Sequence, residues 1–374
     1  MPEDVAPRAD PVTIGSIIIR VLVLFLSVHQ GLVGSVSDDL PRFQQIFLSP
    51  GKPYRSFPVE YAPGELIFIR LLGSSSMATF ATRVAVVAFV ADIAAWAAIR
   101  WAWGRAPGAM YLLLGTPLLV FIYLRFDLVA VAIAAWATAL VIRERERAGG
   151  LSFAAAILAK LWPLVVVPML IVQRRRQALF YAATATVLAL GAWISISGVD
   201  AVRQVATFRH ATGWGVESSV GSVIWIVTGG PVHLEEGTPR VGDIPAWAPI
   251  VLGCIVLALL VAIWLHADGR PEDAPGAASL AAVGALLACS PVFSLQYAAW
   301  LLPWAAIASA RGQRAMVGVA GAVTVLTGTL FIVYDPSRVG WSQIILVARN
   351  VAVLALPAIW LASSAQDRVP SAPR

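Results

Sequence analysis

Residues 143–176 read RERERAGGLSFAAAILAKLWPLVVVPMLIVQRRR. Between two basic clusters lies an apolar stretch, 151–172, close to the ~20 residues that cross ~30 Å of hydrocarbon as a helix. A simple crossing would carry one basic cluster to the far side, against the preference of Arg and Lys for the cytoplasmic face. Pro163 and Pro168 break the helix, and Lys160 sits inside the stretch. These features predict a re-entrant helical hairpin that turns near Lys160-Leu161-Trp162-Pro163, with both basic clusters cytoplasmic. A broken backbone at that depth needs protein or water around it.

The rest of the chain agrees with a lipid solvent. It has 374 residues, 59% hydrophobic and 13% charged, against roughly 45–50% and about 25% in a soluble domain. The apolar runs lack the alternation of a barrel strand. The fold class is therefore an all-α polytopic membrane protein. The net charge of +6 comes from arginines placed between apolar runs, where they orient helices, so membrane lipids are the expected partners and nucleic acid is not. Cys254 and Cys289 lie inside apolar runs and read as small packing residues; no zinc spacing or disulfide framework is present.

Taken in order, residues 1–13 form a polar cytoplasmic tail, and 14–34 the first span, with Arg20 placed to snorkel to the headgroups. A long external loop, 35–75, follows. Spans are expected at 76–99, 108–124 and 128–142, then the hairpin, then spans at 178–196 and 247–266, separated by a second external region, 197–246. Residue 277 begins a span that ends at 290; SPVFSLQYAAWLLPW turns outside, and the chain re-enters by 310. Spans at 315–334 and 341–362 precede a cytoplasmic tail, 363–374. This makes about ten crossings plus the hairpin, in a single transmembrane catalytic domain over 14–362.

Ionisable residues in such a chain are functional candidates. Asp38 and Asp39 follow the first span, near the outer headgroups. A carboxylate there can deprotonate an acceptor hydroxyl while a sugar leaves its phosphate. Adjacent residues of a helix point about 100° apart, so one of the two is expected to act. Lys160 is placed to meet a phosphate, with Arg125 or Arg209 helping. Asp127, His210 and Glu217 lie in the outer turn and the second external region. Tyr54, Trp214 and Tyr297 are placed to stack on a sugar, and His29 and Gln30 to line the same cavity. Asp92 lies mid-span and is expected to pair with a neighbouring helix. Two neighbouring acids are a weak metal signal; no cofactor is called for, and a divalent metal is left open.

Several segments together resemble the polyprenol-phosphate-mannose-dependent α-mannosyltransferases of actinobacteria, glycosyltransferase family 87 in the class C glycosyltransferase superfamily. They are DLPRFQQIFLSPGKPYRSFPVEYAPG, RFDLVAV, AAILAKLWPLVVVPML, FRHATGWGVESSVGS and SPVFSLQYAAWLLP. In that family the first-loop Asp is the base and stands four residues before an aromatic. Asp39 and Phe43 match, so the resemblance prefers Asp39. It implies a polyprenyl-phosphate sugar donor, a lipid or glycan acceptor, and an active site at the outer face of the plasma membrane. It also brings Glu60, Tyr61 and Gln296, within its motifs, into the substrate site. The loop has EYAPG where a double proline is usual, and the late motif reads SPVFSLQY, as though lengthened.

The resulting expectation is an integral-membrane glycosyltransferase that moves a hexose, mannose first, from a polyprenyl phosphate to an acceptor hydroxyl. The alternative is a transporter or flippase of a lipid-linked sugar, which calls for repeats and charges on a path between both faces. A structural partner in a glycan-assembly complex would tolerate loss of Asp39.

Overall fold

The computed structural model describes residues 10–29, 39–206, 211–333 and 340–363, without the side chain of His29. Asp38, Gln30, Arg209 and His210, all named above, lie outside the described residues, as does the side chain of His29.

Sixteen α-helices run through these residues. The first half of the chain forms α1 (Pro11–His29), α2 (Asp39–Leu48), α3 (Pro63–Leu72), α4 (Met77–Trp103), α5 (Arg105–Gly115), α6 (Asp127–Ile142), α7 (Glu146–Ala159), α8 (Met169–Val172) and α9 (Arg176–Ser197). The second half forms α10 (Val199–Ala206), α11 (Ser219–Thr228), α12 (Ala248–Asp268), α13 (Ser279–Cys289), α14 (Leu302–Ser309), α15 (Arg314–Val333) and α16 (Trp341–Ala362). The chain is an all-α polytopic membrane fold.

Among the described residues six helices are long and apolar enough to cross a membrane: α1, α4, α9, α12, α15 and α16. About ten uniform crossings were expected; the other four stretches are shorter or interrupted. After α5 the chain tightens into 3-10 turns over Thr116–Val120 and Ile122–Leu124, where Pro117 removes a backbone donor. A π-turn over Ala274–Ala278 leads into α13, and a 3-10 segment over Leu295–Leu301 leads into α14.

At the centre lies α6, alanine-rich and buried along most of its length. Apolar on every side, it needs neighbours on every side. It packs against α4 and α7, and α7 packs against α9. Small residues allow the close approach: a Cβ on Gly150 of α7 would fall 2.3 Å from the Ala178 carbonyl oxygen of α9.

The hairpin is present. α7 stops at Ala159, Lys160 is extended (φ −153°, ψ 139°), and the chain returns through a 3-10 turn, Trp162–Val166, and α8. The two flanking loops meet at one end: Arg175 donates to Glu144 at 2.8 Å and lies 3.5 Å from Glu146.

Arg20 does not snorkel. It is fully buried and pairs with Asp92 of α4 at 2.8 Å. In a bundle this dense, the nearer partner for its charge is a carboxylate on the next helix, not the headgroups.

The second long polar region holds a small antiparallel sheet of β1 (Trp214–Gly215), β2 (His233–Glu235) and β3 (Thr238–Val241), in the order β1-β3-β2. Glu236 (φ 53°) and Gly237 (φ 75°) close the β2–β3 hairpin, the left-handed pair that a two-residue hairpin turn requires.

Candidate active site

Asp39 opens α2 and lies at the mouth of a cavity of about 900 Å³. Its carboxylate forms an ion pair with Arg125, and Gln296 Nε2 lies 3.5 Å from Asp39 Oδ2. Phe43, one helical turn on, shares the face of Asp39. It is buried against Tyr61 and Phe126, with centroids 5.1 Å and 4.9 Å away. The four-residue spacing thus anchors α2 beside the start of α6 and holds Asp39 near Arg125.

Deeper in the cavity stands Lys160. Fourteen residues of α7 raise it about 21 Å above Glu146, at 1.5 Å per residue. Its ammonium donates to Asp127 at 2.7 Å and lies 3.9 Å from Glu65. Asp127 opens α6 and Lys160 caps the end of α7; each charge has the sign its helix end favours. Asp127 also accepts from the Trp300 indole N–H at 2.7 Å.

The aromatic wall follows from the 3-10 segment Leu295–Leu301. Side chains three apart eclipse in such a helix, so Tyr297 stacks on Trp300 at 4.1 Å and 22°. Trp162, from the hairpin turn, stacks on the same indole at 5.3 Å and 11°. Lys160 Nζ lies 5.4 Å from the Tyr297 ring centre.

Nearer the mouth, Glu60 is held by Arg42 at 2.8 Å, and both line the cavity with Tyr61. The far wall is apolar, including Leu161, Leu164, Val165, Leu286 and Leu287. Leu164 and Val165 also line a second, apolar groove of about 460 Å³ between the hairpin's return limb and α12.

The cavity therefore gathers Asp39, Lys160, Glu60, Tyr61, Gln296 and Tyr297, with Arg125 and Asp127 bound to its lining. Others fall elsewhere. Tyr54 is not among the lining residues; its hydroxyl donates to the Tyr61 carbonyl at 2.7 Å and its ring packs on Trp193. Trp214 is buried in the small sheet's own core. Glu217 is not among the lining residues either; burial pushes its carboxyl up, while Arg349 and Arg125 partly offset that. Arg349 and Asn350 of α16 hold that loop, Asn350 donating to the Ser218 carbonyl at 3.2 Å.

Sequence reasoning passed over Glu65, Trp162 and Trp300. The spacing of Trp300, three after Tyr297, was the available signal. Among the described residues no group of three or more His, Cys, Asp or Glu is placed to hold a metal.

A family model described as glycosyltransferase family 87 matches residues 60–291. No curated relative matches the chain.

Proposed function

The chain belongs to glycosyltransferase family 87, and from that premise we propose that it takes a hexose, mannose first, from a polyprenyl-phosphate donor and places it on the hydroxyl of a lipid or glycan acceptor. It works in the plasma membrane of an actinobacterium-like cell, with the cavity open to the outer face. The observation that carries this reading is that one cavity holds an accessible carboxylate, Asp39, and a deep cation, Lys160.

Asp39 takes the proton of the acceptor hydroxyl, and the freed oxygen attacks the anomeric carbon. The bond from that carbon to the phosphate oxygen breaks, and its electron pair leaves with the phosphate. Lys160 and Arg125 meet the charge that develops there, a preorganised stabilisation that needs no covalent nucleophile. The products are the glycoside, polyprenyl phosphate and protonated Asp39. Tyr297 and Trp300 offer a flat apolar wall for the sugar, and Gln296 and Glu60 its polar contacts. The apolar groove beyond Leu164 and Val165 supports a donor that carries a lipid tail.

The full chain in nanodiscs, given labelled polyprenyl-phosphate hexoses and a membrane lipid extract, is expected to transfer mannose. Transfer from a nucleotide sugar, with none from any polyprenyl phosphate, would overturn the donor assignment.

A further inference from the structure

Glu65 is assigned no part in this reaction, yet it is 3% exposed, lines the cavity and leaves its Oε1 without a hydrogen-bond partner. Buried side-chain oxygens are almost always partnered, so an unpartnered one at a cavity wall points to a missing ligand. Its placement is built in. α3 meets the end of α7 so closely that a Cβ on Gly64 would lie 2.6 Å from the Leu158 carbonyl oxygen. That approach sets Glu65 Oε1 3.9 Å from Lys160 Nζ.

Charge counting then poses a problem for an anionic ligand. The Lys160 ammonium is already matched by Asp127 at 2.7 Å. A second ionised carboxylate beside it would leave the pocket net negative and repel a phosphate. We propose that Glu65, as an uncharged carboxylic acid, joins Lys160 in holding the donor phosphate and donates its proton in a hydrogen bond to a phosphate oxygen. The inference rests on the phosphate-linked donor proposed above.

The surroundings favour that form. Burial, helped by the charges of Asp127 and Glu60 and opposed by Lys160, pushes the Glu65 carboxyl up to about 8. The other titratable groups coupled to it are the hydroxyls of Tyr54, Tyr61 and Tyr297, which burial and the Glu65 charge push up, so that they stay protonated. Binding that needs the protonated acid is full below this range and is lost as pH rises through it.

The test is the affinity of farnesyl-phosphate mannose for the full chain in nanodiscs, from pH 6.5 to 9.5. This phosphodiester carries one charge throughout, so any titration belongs to the protein. Wild type is expected to hold a constant Kd to about pH 7.5 and to weaken roughly tenfold per unit above about 8. Glu65→Gln, which keeps the shape and a donor, is expected to bind within about threefold of wild type at pH 7 and to show no weakening to pH 9.5. Glu65→Ala is expected to bind about tenfold more weakly at pH 7, the loss of one hydrogen bond to a charged group. Wild type and Glu65→Gln sharing one pH curve would overturn the proposal. Should the amide variant not assemble, a flat wild-type curve is sufficient to overturn it. No binding by wild type at any pH would instead sink the donor reading, and this inference with it.

Discussion

Two clusters of buried charge stand in this bundle, and they differ in what is left over. In the first, Arg20 of α1 is fully buried and donates to Asp92 at 2.8 Å and to the Leu112 carbonyl at 2.9 Å. Asp92 also accepts from the hydroxyls of Tyr111 and Tyr123, both at 2.9 Å. The cluster ties α1, α4 and the α5 region together and borders neither cavity described above. In the second, the Lys160 side chain keeps 17% exposure, faces the large cavity, and has beside it a carboxylate oxygen with no partner. A charge inside an apolar run thus says little by itself. Completed hydrogen bonding marks a strut, and an incomplete set beside a cavity marks a site.

The comparison can be broken at either cluster. The largest effect belongs to Asp92→Ala, which leaves the Arg20 guanidinium buried and unpaired. It is expected to cost about 3–5 kcal/mol of stability, read by unfolding in detergent, while the folded fraction keeps its specific activity. Replacing both partners together, Arg20→Met with Asp92→Leu, is expected to recover the part due to the unpaired charge, but not the part due to the Tyr111 and Tyr123 hydroxyls that lose their acceptor. Reduced specific activity at unchanged stability would mean that the first cluster is no strut.

Lys160→Ala should show its main effect in binding. Asp127 keeps its Trp300 hydrogen bond but loses its counter-charge, so some stability is lost as well, and donor affinity is read on the folded fraction. Donor affinity is expected to fall by about 1.5–3 kcal/mol, the worth of a hydrogen bond to a charged group, or roughly 10–150-fold. Lys160→Arg is expected to restore little, because a planar fork does not replace a point charge in this space. Donor affinity unchanged in the alanine variant would remove the phosphate site from the second cluster.

Trp300→Phe is the smallest change. It keeps an aromatic face against Tyr297 and Trp162 but removes the indole N–H that Asp127 accepts. A loss of about 1 kcal/mol in kcat/KM, some fivefold, is expected. An equal loss with Trp300→Leu would show that the stack itself contributes nothing.

Much of the fold was legible because composition and basic flanks act locally. The lipid-facing class follows from the apolar runs, and the hairpin from Pro163, Lys160 and the clusters on either side. The number of uninterrupted spans was not legible, because the 3-10 turns around Pro117 and the π-turn before α13 are set by packing rather than by hydropathy. The site was half legible. Asp39 and Lys160 could be picked out as charges in apolar surroundings. Their partners could not: Asp127 lies 33 positions from Lys160, and Gln296 lies 257 from Asp39. Tyr54, an external aromatic by sequence, spends its hydroxyl on Tyr61 and its ring on α9, contacts only the folded chain shows. Glu65 drew no reading from the sequence, and only the close approach at Gly64 brings it to Lys160.

The central claim is that the carboxylate at the cavity mouth removes the acceptor proton. The most direct measurement is sugar transfer by Asp39→Asn and Asp38→Asn at matched expression, from the same polyprenyl-phosphate donor. The Asp39 side chain is 29% exposed in its pair with Arg125, so losing its charge costs the fold at most about 1 kcal/mol. Asp39→Asn is expected to fold, to bind donor and to lose roughly 10²–10⁴-fold in turnover, with Asp38→Asn close to wild type. Near-normal transfer by Asp39→Asn would contradict the account: with Asp38→Asn dead, the base is the neighbouring residue; with both active, no carboxylate of this pair is the base.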